Sequence, residues 1–332
     1  MMCLTGCSDL VATATTLPQA GILTPAADHH LHIQSPQVTA ELRRVAERLP
    51  AMFAGLNPAI LDSRSGADAL RVLDDAGVAH GELLSEAYMY ASVFATAGLA
   101  NPARLTREEN MFNVEAAEHS GGRLKAFIGV NPFCDFALDE IRYWGERGGA
   151  AGIKLHLANS GFEPDLEEHI GRLASVFREA NRLGFALLVH LRPAGTYNEG
   201  HIDRIIEDVL SQAPDVVIQL AHAGGGGGLD DPTLLALERF CGAIAEQRPG
   251  TRGLLFDLAA VLVRDVGDSA NVERLARFVA VARSIGLDRF LIGSDWPTLC
   301  SPLEHTALLL SQMPFDDDEW LVLARNRADY LD

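Results

Sequence analysis

From about residue 26 the chain alternates two patterns. Short apolar or β-branched runs are followed by longer stretches in which apolar residues return every three or four positions. The short runs predict strands that end at His32, near Leu84, near Val130 (from Leu124), at His156 (from Ala151), at His190 (from Phe185), near Ala221 (from Val216), near Leu258, and at Asp295 (from Phe290). The longer stretches predict helices over 67–76, 108–118, 167–182, 201–211, 233–245 and 272–284, with 303–312 and 318–331 closing the series. Strands that carry an apolar run rather than an alternation are buried on both faces, as parallel strands are. Eight strand-then-helix units in about 300 residues is the (β/α)8 count. A length of 332 residues would also allow two domains. No Pro- or Ser-rich linker divides the pattern, so the expectation is one TIM barrel over 26–332. The stretch from Ile33 to Gly66, between the first two strands, is long for a barrel connection and is expected to form a lid.

Residues 1–25 stand apart, with one Asp and no Lys or Arg. They read as a leader or flexible segment. Leu4-Thr5-Gly6-Cys7 has the form of a bacterial lipoprotein cleavage box, which would put a lipid anchor on Cys7. The charged and apolar segment that a secretory signal needs upstream of it is missing. Export to the envelope and a cytoplasmic location therefore both stay open. No run of eighteen apolar residues occurs, so a transmembrane segment is not expected.

The 45 acidic and 27 basic residues give a net charge of −18, and no basic cluster exists to meet phosphates. Nucleic acid is excluded as the expected partner, and a small molecule takes its place. Cys3, Cys7, Cys134, Cys241 and Cys300 are odd in number and widely spaced, which indicates no disulfide framework and no Cys-x-x-Cys site. A homodimer is expected only because dimers are the commonest assembly.

Candidate chemistry follows from where the polar residues fall. His30 and His32 share one face of the first strand, and a His-x-His pair at a strand end can hold a metal, though such a pair also arises by chance. Lys154 and His156 end the fourth strand, His190 the fifth, His222 the sixth and Asp295 the eighth. In a barrel those carboxyl ends converge on one mouth, where the chemistry sits. No Gly-x-Ser-x-Gly elbow, phosphate-binding loop or His-Glu-x-x-His helix competes with them. The glycine run 224–228 lacks the spacing of a dinucleotide site.

Taken together, His30-Leu31-His32, Gly152-Ile153-Lys154-Leu155-His156, Val189-His190, Ala221-His222 and Ile292-Gly293-Ser294-Asp295 resemble the amidohydrolase superfamily, in its amidohydrolase-2 branch, from about Asp28 to the end. The resemblance implies a divalent metal, most often zinc, on His30, His32, His190 and Asp295. A metal-bound hydroxide would attack, and Asp295 would carry its proton to the leaving group. The other reading of Asp295 is a helix cap ahead of Trp296-Pro297. His222 would sit beside the metal and steady the growing negative charge, or help to hold a second ion. That second ion requires a carboxylated Lys154 as a bridge. The favoured reading keeps Lys154 as an ammonium that binds a substrate carboxylate.

His156 shares the face of Lys154 and assists there, or is a polar residue of the rim. Arg192 either clamps an anionic group of the substrate or is an ordinary surface arginine. His201 reads as a surface residue at a helix start, Cys300 as a buried inert thiol, and Glu86, Asn110 and Asn131 lie near strand ends with no assigned role. The function that follows is a metal-dependent hydrolase of a C–O or C–N bond (lactone, ester or amide) in a small, carboxylated molecule. A metal-dependent non-oxidative decarboxylase on the same scaffold is the second reading, and a non-catalytic envelope binding protein the third.

Overall fold

In a computed structural model, described here for residues 23–195, 197–262 and 269–332, eight parallel strands pair in chain order. They are β1 (Ala27–Leu31), β2 (His80–Leu84), β3 (Leu124–Gly129), β4 (Ala150–His156), β5 (Ala186–His190), β6 (Ile218–Leu220), β7 (Leu254–Asp257) and β8 (Phe290–Leu291). The box Leu4-Thr5-Gly6-Cys7 lies outside the described residues.

The strand predicted to run from Phe290 to Asp295 pairs with β7 over only two residues. Beyond Leu291 the chain stays extended and closes the ring against β1. The N–H of His29 donates to Ile292 O (2.9 Å), that of Asp295 to His30 O (2.8 Å) and that of His32 to Trp296 O (2.7 Å). Gly293 permits this approach, since a Cβ there would stand 2.8 Å from the Cβ of His30. Closure therefore brings the first and last strands, more than 260 residues apart in sequence, into contact at the mouth.

Helices alternate with the strands as the apolar periodicity requires. They are α1 (Pro36–Arg48), α2 (Gly66–Ala76), α3 (Pro102–Glu118), α4 (Ala137–Arg147), α5 (Glu167–Leu183), α6 (Glu199–Arg204), α7 (Asp231–Ala245), α8 (Ser269–Ile285), α9 (Pro302–Gln312) and α10 (Asp317–Arg325). α5 shows the logic: Ile170, Leu173, Val176, Phe177 and Ala180 recur at three- and four-residue spacing and are buried, and Gly184 ends the helix in a left-handed conformation.

Three sequence expectations need correction. The helix over 201–211 is broken: α6 ends at Arg204, and a π turn (Ile205–Val209) and a 3-10 turn (Leu210–Gln212) follow. His201 is buried, not on the surface, with Nε2 3.0 Å from Asp165 Oδ1. The last predicted helix ends at Arg325, and Asp329–Leu331 forms a separate 3-10 turn that carries Tyr330 under the barrel floor.

The insertion after β1 folds as α1 and two 3-10 turns, Pro50–Phe53 and Pro58–Leu61. It has a small core of its own. Val38, Leu42 and Val45 pack with Tyr88, Met89 and Tyr90 of the β2–α3 loop, separate from the main core. No helix among the described residues is long and apolar enough to cross a membrane.

Candidate metal centre

The strand ends deliver their polar side chains into one cavity of about 320 Å³ at the carboxyl face. His30, His32, Lys154, His156, His190, His222 and Asp295 all line it. Within it, donor atoms of His30, His222 and Asp295 lie within 4.8 Å of one another. His32 Nε2 is 3.3 Å from Asp295 Oδ1, and His30 Nε2 is 3.7 Å from the same oxygen.

The far side of each ring explains this convergence. His30 Nδ1 is 3.0 Å from Asp257 Oδ2, His32 Nδ1 is 2.9 Å from Leu84 O, and His222 Nδ1 is 2.8 Å from Ala259 O. An acceptor at Nδ1 takes the single proton of a neutral imidazole, which leaves the Nε2 lone pair pointing into the cavity. Burial, with Lys154 next in effect, holds His30 well below the usual histidine range. Burial likewise pushes His156 and His190 well down. Burial alone would raise Asp295, but the neighbouring histidines keep its carboxyl well below the ordinary range. Imidazole nitrogens gathered around a carboxylate are the donor set that a divalent ion takes, so the residues fit the metal that the sequence implied.

Two of these residues sit in strained backbone. His222 has φ 55° and Asp295 φ 57°, the left-handed region that non-glycine residues seldom enter. Such a residue costs on the order of 1–3 kcal/mol and persists only where its surroundings hold it. For His222 the holder is Asp257, whose Oδ1 accepts the His222 N–H at 2.9 Å. For Asp295 it is the N–H bond to His30 O that closes the barrel. Asp295 does not cap a helix, since the next one is α9, capped by Ser301.

Asp257 is the residue that sequence reasoning missed. Its carboxylate takes His30 Nδ1 (3.0 Å) and Gln219 Nε2 (2.9 Å) on one oxygen, and His222 N (2.9 Å) and Ala259 N (3.2 Å) on the other. The signal was present: an acid at the end of the seventh predicted strand, the same position that singled out Asp295 on the eighth.

Behind Asp257 the chain of contacts continues through the floor of the barrel. The Tyr330 hydroxyl lies 2.6 Å from Glu82 Oε2 and also contacts Gln219 Oε1. One hydroxyl has one proton, and an amide oxygen has none. Glu82 must therefore supply the second, which agrees with burial pushing its carboxyl well above the ordinary range.

The remaining predicted residues divide. Lys154 is buried, with Nζ 3.4 Å from His30 Nε2, and burial lowers its pKa. His156 stacks on His190 at 4.0 Å, and His190 meets His222 edge-on at 4.9 Å. His222 stands in the donor group with His30 and Asp295, and His190, expected among the ligands, lines the same cavity beside it. Arg192 turns aside into an ion pair with Asp230 (2.6 Å), the cap of α7, and does not line the cavity. Glu86 does line it. Its carboxyl is raised by burial, an effect opposed by His32 at 3.5 Å. Asn110 instead ties α3 to Gly129 at the end of β3, and Asn131 holds the carbonyl of Ala91.

A parallel (β/α)8 barrel with histidines and an aspartate gathered at its carboxyl end is a TIM barrel with a candidate metal centre. The sequence profile of the amidohydrolase family matches residues 27–321, and the chain belongs to that family, in its amidohydrolase-2 branch. No curated protein matches it.

Among solved structures it is similar to 5-carboxyvanillate decarboxylase from Sphingomonas paucimobilis (15% identity, TM-score 0.60, 91% of this chain and 96% of that one). It is also similar to 2,6-dihydroxybenzoate decarboxylase from Rhizobium (15%, 0.60, 93% and 98%). A third likeness is to an amidohydrolase from Burkholderia multivorans with bound HEPES (16%, 0.56, 89% and 94%). At these identities the likeness carries the fold alone. Two of these three neighbours are named as decarboxylases and one as an amidohydrolase.

Proposed function

We propose that this chain is a metal-dependent hydrolase that opens a C–O or C–N bond in a small molecule. A lactone, ester or amide is the substrate class, and one divalent ion, zinc by its donor chemistry, is the cofactor. The observation that carries the reading is the set of three imidazoles whose Nδ1 atoms are tied off and whose Nε2 atoms face Asp295. His30, His32, His222 and Asp295 would hold the ion, with His190 beside them. When bound, the ion polarises the substrate and makes water a stronger acid.

Asp295, kept ionised, takes the proton of the attacking water and returns it to the leaving group. Lys154, the buried cation of the cavity floor, binds a substrate carboxylate or the negative charge that develops on the carbonyl oxygen. With Nδ1 hydrogen-bonded to Ala259 O, the His222 ring turns its Nε2 toward the cavity. That supports a ligand role over the oxyanion-stabilising role expected from the sequence.

One observation favours the second reading. Glu86 is a cavity-lining acid that burial keeps protonated to higher pH than usual, and a protonated acid is what a non-oxidative decarboxylase needs to deliver a proton to carbon.

The test is metal content by plasma mass spectrometry on protein purified without chelator, followed by parallel screens. Lactones, esters and amides are followed by acid release, and aromatic acids by carbon dioxide release. Acid release with about one metal per chain is the expected result. Carbon dioxide release without water consumption would replace the hydrolase by the lyase. A chain that holds no metal would remove both.

A further inference from the structure

The cavity has two zones of opposite character. Its floor, made by strand ends, is imidazole, carboxylate and ammonium. Its outer wall comes from the β1–β2 insertion, which contributes Leu42, Met52, Phe53, Leu56 and Ile60. No side chain on that wall carries a charge or a hydrogen-bonding group.

This wall is built rather than incidental. Leu42 is buried in the insertion's own core with Tyr88 and Met89, which face the cavity from the opposite loop, and Phe53 packs against the same cluster. Met52 reaches the mouth and is 37% exposed. A wholly polar substrate would leave this surface against water. An apolar group laid on it would remove that surface from water.

We infer that the substrate carries an apolar arm, a hydrocarbon chain or ring extending from its reacting group, and that Met52, Phe53 and Leu56 select for it. The inference rests on the floor being the reacting site. It adds that the molecule is amphiphilic: polar at the strand ends, apolar toward the insertion. The arm is continuous with the floor in one cavity, so the occupant is part of the substrate and not a separate ligand. These three are specificity-determining residues and touch no reacting atom.

The test uses two matched series on the protein as purified. Straight-chain alkanoates from butyrate to decanoate are titrated calorimetrically, which measures binding without turnover. γ-Lactones with alkyl arms of zero to six carbons are assayed for kcat/KM. Each methylene buried against the wall should tighten alkanoate binding and raise kcat/KM about threefold to fourfold until the wall is covered. Phe53→Ser and Met52→Gln should flatten both slopes, with circular dichroism and the melting temperature confirming the fold. Affinities that do not change with chain length, or a slope that survives in Phe53→Ser, overturn the inference. A steep alkanoate slope with no turnover of the lactones, or of esters and amides carrying the same alkyl arms, keeps the apolar arm and refutes the hydrolase reading instead.

Discussion

Replacing Asp257 by Asn should uncouple the metal centre while leaving the barrel folded. The carboxylate receives four N–H donors, two on each oxygen, and it joins β7 to β1 and β6 at the back of the site. An amide of the same shape has one accepting oxygen. If that oxygen keeps the His222 and Ala259 N–H groups, the amide nitrogen faces His30 Nδ1 and Gln219 Nε2, donor against donor. The simplest relief is for His30 to move its proton to Nε2, the atom that faces Asp295, and a protonated Nε2 cannot ligate.

Loss of such a supporting partner typically costs 10- to 100-fold in metal affinity, about 1.4–2.7 kcal/mol. A second penalty, on the order of 1–3 kcal/mol, falls on stability for the unsatisfied buried donor. Zinc affinity measured by competition with a chromophoric chelator reads the first, and the melting temperature of the metal-free chain reads the second. Gln219→Met should weaken the metal less, since it removes one of the four donors, and Tyr330→Phe less again, since it acts only through Gln219. An Asp257→Asn chain that binds zinc within twofold of wild type would refute the reasoning, as would a Tyr330→Phe effect larger than that of Gln219→Met.

Asp295→Asn should lower turnover by roughly 10²- to 10⁴-fold, the usual contribution of a positioned acid–base group, and retained turnover would remove its role as proton carrier. Lys154→Ala should leave metal content at about one ion per chain, because Lys154 acts as an ammonium; a fall from two ions in wild type would instead make it a carboxylated bridge. Stability should also depend on pH through Glu109, whose carboxyl, buried behind Ser35, is raised from 4.5 to about 7 by loss of solvent. Between those values the folded chain holds a proton that the unfolded chain has released, so stability falls as pH rises through the window, by on the order of 3 kcal/mol. Glu109→Gln should remove that fall, and urea midpoints that decline equally in both proteins between pH 5 and 7.5 would count against it.

Much of the architecture was legible because buried parallel strands announce themselves as apolar runs, and all eight were placed by them. The site was legible for a related reason: polar residues such as Lys154 and His222 at the end of an apolar run have nowhere to go but the barrel mouth. What could not be read were properties fixed by contacts across the ring. Asp257 and His30 are 227 positions apart, and nothing in either neighbourhood says that β7 will support the histidine of β1. Arg192 was out of reach in the same way, because its orientation depends on an ion pair with Asp230, 38 residues on.

The orientation of His222 was equally hidden. The left-handed turn at His222 aims its ring, and left-handed residues are foreseen from Gly or Asn, whereas Ala221-His222-Ala223 contains neither. The turn exists because Asp257 accepts the His222 N–H while its other oxygen holds His30. One carboxylate thus sets both a strained backbone and a ring orientation, and in the sequence that dual role appears only as an unremarked acid at the end of a strand.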